Sequence, residues 1–122
     1  MAEAARVIAI NCEELGIRSL KGIECFKNLR FLCCWENELT SLRCPNKKLW
    51  VIVCDESLIS PYFIKQHSHA TIAGVPKGSY DELKYYHMNP YSWVRFQNSN
   101  ILDVFADHGL GDREVSAIWN CQ

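Results

Sequence analysis

Apolar residues in the first half of the chain return in one short frame at nearly constant intervals. Val7-x-x-Ile10-x-Cys12, Leu29-x-x-Leu32-x-Cys34 and Leu49-x-x-Ile52-x-Cys54 superpose position for position, at steps of 22 and then 20 residues. Positions downstream keep the step, with Ile17 and Leu20 matching Leu39 and Leu42. A fainter fourth copy reads His69-x-x-Ile72-x-Gly74, again 20 residues on, with His69 and Gly74 in apolar slots. A unit of this length cannot bury its apolar face alone, so neighbouring copies must stack around a common core. Each frame predicts a short strand, and successive strands lie parallel at roughly 4.8 Å. The frame residues point inward, where a thiol packs as a small hydrophobe. Asn37, three residues after Cys34, is placed to bond the backbone of the turn that leaves the strand.

The middle copy, LRFLCCWENELTSL, follows the pattern L-x-x-L-x-L/C-x-x-N-x-L, with Asn37 in the asparagine position. With the stretch GIRSLKGIECFKNLRFLCCWENELTSL, the chain resembles bacterial leucine-rich repeat proteins of the internalin-like kind over about residues 7–60. The resemblance implies the repeat architecture and says little about activity, because such repeats serve many partners. Leu15 and Ser57 depart from the pattern where asparagine is expected, and the series is short. Atypical terminal copies are usual in capping repeats.

The same frame assigns the side chains on the opposite, concave side of the strands. Four rows cross the coils: Ala9, Phe31, Val51; Asn11, Cys33, Val53; Glu13, Trp35, Asp55; and Glu14, Glu36, Glu56. An apolar stripe therefore borders an acidic one. Concave sheets of repeat proteins are common binding surfaces, and aromatic residues are common anchors. The expected partner-binding set is Glu13, Glu14, Phe31, Trp35, Glu36, Val51, Val53, Asp55 and Glu56. Two plainer readings stand beside it: a solvated acidic rim, and an apolar stripe covered by the rest of the chain.

Residues 61–122 change character at Pro61. They hold ten of the fourteen aromatic residues, while charge stays balanced in both halves. The expected organisation is a repeat region over 1–60, with a degenerate copy reaching about residue 78, and a capping region over 61–122. The fold class is α/β: a short leucine-rich repeat solenoid with a small parallel sheet, capped by an aromatic-rich α+β C-terminal half. GVPKGSY reads as a turn region, Asp81–Tyr86 as a short helix and Tyr91–Gln97 as a strand. Asn100–His108 reads as a helix ended by Gly109, and a further helix starts at Gly111 or Asp112.

Composition narrows the function. Hydrophobic residues make up 48% and charged residues 22% of 122, the balance of a globular protein. No apolar run approaches the ~18 residues of a membrane helix, and the start lacks the basic segment of a secretory signal. A net charge of −1 gives no general attraction to nucleic acid or membrane. ILDVFADHGLGDREVSAIW has a helix-turn-helix outline, yet Arg113 stands alone among acids, so DNA binding is not expected. Seven cysteines without an export signal or a CxxC pair favour reduced thiols in a cytoplasmic protein over disulfides or a zinc ribbon.

His67-x-His69 could chelate a metal with His87, His108 or Asp81, but no third ligand has diagnostic spacing. Cys33, the strand cysteine expected to face solvent, has acidic neighbours that disfavour a thiolate nucleophile. No phosphate loop, GxSxG or HExxH is present. The expectation is a non-enzymatic module, bacterial or phage in style, that captures a basic protein surface, with no cofactor or metal. It could serve as a small inhibitor and form a homodimer. The alternative is a small enzyme or metal-binding protein with its site in the aromatic half.

Overall fold

The computed structural model describes residues 4–78, 82–97 and 109–110. Its architecture is α/β, a small mixed sheet with short helices. The strands are β1 (Ala9–Asn11), β2 (Phe31–Cys33), β3 (Val51–Asp55), β4 (Thr71–Val75), β5 (Lys84–His87) and β6 (Gly109–Leu110). They lie in the order β5-β4-β3-β2-β1-β6. Among the described residues, only the β4–β5 pairing is antiparallel. Helices α1 (Pro61–Gln66) and α2 (Pro90–Gln97) complete the described elements, with three short 3-10 turns.

The sheet register reproduces the sequence repeat. Ile10 faces Leu32, Leu32 faces Ile52 and Ile52 faces Ile72, so the steps of 22, 20 and 20 residues are strand-to-strand neighbours. A slip of one residue would turn every core side chain outward, which is why the apolar frame fixes this register. On one face, Ile10, Cys12, Leu32, Cys34, Ile52, Cys54 and Ile72 join Ile17, Leu20, Ile23, Phe26, Leu29, Leu39, Leu42, Cys44 and Leu49 in one buried cluster. The cysteines within it are buried thiols.

Polar side chains tie one sequence repeat to the next. Asn37 Oδ1 accepts the backbone N–H groups of Leu15 (3.1 Å) and Ile17 (3.0 Å), and its Nδ2 donates to Cys12 O (2.8 Å) and Cys34 O (3.0 Å). One asparagine thus serves the turns of two coils, and the first coil holds Leu15 where its own would stand. Asn46 Nδ2 donates to Ile23 O and Phe26 O, both at 2.9 Å. His67, 1% exposed, accepts the Cys44 N–H at Nε2 (3.0 Å) and contacts Phe63 O through Nδ1 (2.8 Å). A carbonyl only accepts, so Nδ1 carries the proton and the ring is neutral. Burial, first among the causes, holds its pKa below the ordinary 6.5, and the charge of Arg43 acts in the same direction.

Strand β4 occupies the place of the faint fourth copy, and its odd residue has a packing reason. Gly74 lies beside Cys54. A Cβ there would stand 2.7 Å from the Tyr86 ring, 2.8 Å from Ile59 Cδ1 and 3.2 Å from Glu56 Cα. Tyr86 and the turn after β3 have taken the space that a frame side chain fills elsewhere.

The opposite face of the sheet is covered too. Ala9, Phe31 and Val51 form a second buried cluster with Trp50 and Val53 packed on it. Helix α2 lies on this side: Ser92 Oγ meets Thr71 Oγ1 at 2.9 Å, and the Arg95 guanidinium is 5.8 Å from the Trp50 ring centre. Trp93 of α2 meets Tyr85 of β5 edge to face at 5.1 Å.

Two expected elements exchange their types. Residues 84–87 form strand β5, not part of a helix, because they pair with β4 and their aromatic residues suit a half-exposed strand. Residues 91–97 belong to a helix, not a strand. Pro90 pre-sets the first-turn geometry, while Asn89 Oδ1 accepts from Tyr91 N (3.1 Å) and Ser92 N (3.2 Å). Within the expected turn region, Gly74 and Val75 close β4 and the turn itself lies at Lys77–Gly78. Gly109 and Leu110 pair with β1 as β6, and the helices expected over 100–108 and from 111 onward fall outside the described residues.

Candidate binding site at the carboxyl ends of the strands

Parallel strands aligned in one direction bring the turns that follow them to one edge, the usual place for a ligand crevice in open α/β sheets. Here β3 ends at Asp55 and β4 at Val75. A cavity of about 550 Å³ opens at that edge, with Glu36, Asp55, Glu56, Val75, Lys77 and Tyr86 in its wall.

Backbone and side-chain contacts place these carboxylates. Asp55 Oδ1 accepts the Glu36 N–H at 2.6 Å, which locks the turn after β2 onto the end of β3. Glu36 has φ 57°, as does Glu14 one coil earlier. A left-handed conformation costs a residue with a side chain about 1 kcal/mol or more, and the repeated turn imposes it twice at the same register. The two side chains meet: the Glu14 carboxyl is hydrogen-bonded to Glu36, and that contact, followed by the Glu36 charge, raises its pKa above 4.5. Glu56 accepts the Tyr86 hydroxyl at 2.8 Å, and this hydrogen bond is the main cause that lifts the Tyr86 phenol above 10.0.

Not every residue expected on the concave face belongs to a surface. Phe31 is 1% and Val51 is 2% exposed, so both are core and leave the candidate set. The physical reason is the second cluster described above: the apolar stripe satisfies itself inside the protein. Val53 packs at its margin, half-buried. Glu13, Trp35, Glu36, Asp55 and Glu56 are half-buried, and Glu14 is exposed. The structure brings Glu36, Asp55 and Glu56 to one cavity, with Glu14 against Glu36. Trp35 precedes Glu36 in the same turn, where its carbonyl accepts the Glu14 N–H at 3.3 Å.

Sequence reasoning missed Tyr86 and Lys77. Neither follows the repeat, and Tyr86 sits on an antiparallel strand that carries no periodic cue. Its only trace in the sequence is the glycine at position 74, which leaves room for a ring.

Two residues weighed for other chemistry, Cys33 and His67, are among those described. Burial, then the nearby Glu13, pushes the Cys33 thiol up to about 12, far from a working nucleophile. Both ring nitrogens of His67 are engaged within the core, so it has no lone pair left for a metal. Among the described residues, no three His, Cys, Asp or Glu side chains are grouped to hold a metal ion. No helix among them is long and apolar enough to cross a membrane. Comparisons with protein-family models, with curated proteins and with solved structures return no match.

Proposed function

We propose that this chain is a non-enzymatic protein-binding module, a short leucine-rich repeat solenoid that grips a basic segment of its partner at the carboxyl edge of the sheet. The observation that carries this reading is the convergence of Glu36, Asp55 and Glu56 on one cavity, with the Tyr86 hydroxyl held on Glu56. An arginine or lysine side chain entering there meets Asp55 already held by the Glu36 N–H and Glu56 already held by the Tyr86 hydroxyl, so little of their side-chain entropy is lost on binding. Glu14 extends the acidic row, and Trp35 supplies aromatic surface beside it. Lys77 lines the same cavity and leaves the three carboxylates in excess there. Close like charges also favour a cationic ligand, because it relieves their mutual repulsion.

A photo-crosslinking amino acid placed at Trp35 tests the reading. The captured segment is expected to be rich in arginine and lysine, and capture should vanish in the Glu36→Lys/Glu56→Lys variant. Capture of an acidic or apolar segment, or capture unchanged by the double reversal, overturns it.

A further inference from the structure

A second depression, sharing no residue with the acidic cavity, lies between the turn at 43–47 and the end of α1. It encloses about 390 Å³, within the roughly 300–1,000 Å³ of small-molecule sites. Arg43, Pro45, Lys47, Gln66 and His69 form its walls above the buried Cys44 and His67.

Its chemistry is one-sided. The lining holds two permanent cations and no carboxylate. Among the described residues the ion pair that forms is Arg18–Glu38, and neither Arg43 nor Lys47 has a carboxylate within that reach. The deeper groups add neither negative charge nor a metal ligand. Burial pushes the Cys44 thiol up, so it stays protonated. His67 is neutral, with both nitrogens bonded inside the fold. The His69 ring is anchored through Nε2 to Asn46 O at 3.1 Å, and Gln66 Nε2 uses one of its two protons on the Tyr62 hydroxyl. Donors and cations therefore face a space that nothing anionic in the lining neutralises.

We propose that this cavity binds a phosphate monoester group. A guanidinium offers two parallel donors to phosphate oxygens, an ammonium adds a point charge, and together they match a dianion. A monocarboxylate would leave one cation unmatched. The volume of about 390 Å³ leaves room for a small organic group on the ester oxygen.

The test is an NMR titration of the intact chain with inorganic phosphate and, separately, glycerol 3-phosphate, with sodium chloride added to matched ionic strength in a control. Saturable shifts at residues 43–47 and 66–69 are expected with phosphate and not with chloride. Binding should weaken about 100-fold in Arg43→Ala/Lys47→Ala, roughly tenfold for each lost charged contact. Both side chains are exposed, so the variant spectrum elsewhere should match the parent. Equal affinity for the two ligands means the site reads the phosphate group alone, and tighter binding of the ester means the organic part is also held. Shifts that chloride reproduces, or that persist in the double variant, overturn the proposal.

Discussion

Asn37 Oδ1 accepts the backbone N–H of Ile17 at 3.0 Å, across 20 residues of chain. With the Leu15 contact and two donations to carbonyls, this single amide closes the turns of adjacent coils. Asn37→Ala should cost about 2–3 kcal/mol, because several backbone groups lose their partners at once. Asn37→Asp should cost as much, since a carboxylate would face the Cys12 and Cys34 carbonyls that the amide now donates to. Urea unfolding of both variants checks this. A loss below about 0.5 kcal/mol would show that water replaces the side chain without penalty.

His67 gives the fold a defined acid response. Its folded pKa lies below the ordinary 6.5, so the unfolded chain takes up a proton that the folded chain refuses. Stability is then full above the unfolded value and falls as pH drops through 6.5 toward the folded pKa, by at most about 1.4 kcal/mol per pH unit for one proton. Unfolding free energies between about pH 7.5 and 5.5 should show this slope, and His67→Gln should remove most of it.

The cysteine thiols predict the opposite limb. Burial raises Cys33 and Cys54 to about 12 and pushes Cys34 and Cys44 up as well. A raised folded pKa contributes stability below the unfolded value that is lost as pH climbs above it, so the chain should weaken from about pH 9 upward. Site-mapped alkylation of the native protein should label exposed Cys25 first, and Cys12, Cys34, Cys44 and Cys54 only on unfolding. Fast native labelling of the buried four would contradict the packing.

Gly74→Ala links packing to the site. The added methyl would push on the Tyr86 ring, Ile59 and the Glu56 backbone. A cost of about 1–3 kcal/mol is expected, typical of overpacking. The Tyr86 phenol should also titrate closer to its ordinary 10.0 as its bond to Glu56 loosens, a change that ring NMR signals can follow.

The repeat was legible because apolar periodicity is a local record of a global stacking rule: Ile10, Leu32, Ile52 and Ile72 had to meet, and they do. The acidic row was legible for the same reason, since residues at one register share one edge. The fate of Phe31 and Val51 was not, because the frame says which face a side chain takes and not what covers that face. The helix expected over 81–86 and the strand expected over 91–97 differ from the structure because local signals compete there. The Asn89–Pro90 helix start outweighs the strand propensity of Trp93 and Val94, and pairing with β4 decides the state of Tyr85 and Tyr86. The Tyr86–Glu56 contact spans 30 residues and leaves no periodic trace.

The acidic cavity is tested most directly by NMR titration with a short arginine-containing peptide blocked at both ends, at ~0.05 and ~0.2 M salt. The account predicts saturable shifts at residues 35–37, 55–57, 75–77 and 86, several-fold weaker binding at the higher salt as screening grows, and loss of binding in Glu36→Lys/Glu56→Lys. Shifts elsewhere on the protein, or binding that survives both the salt and the double reversal, would contradict it.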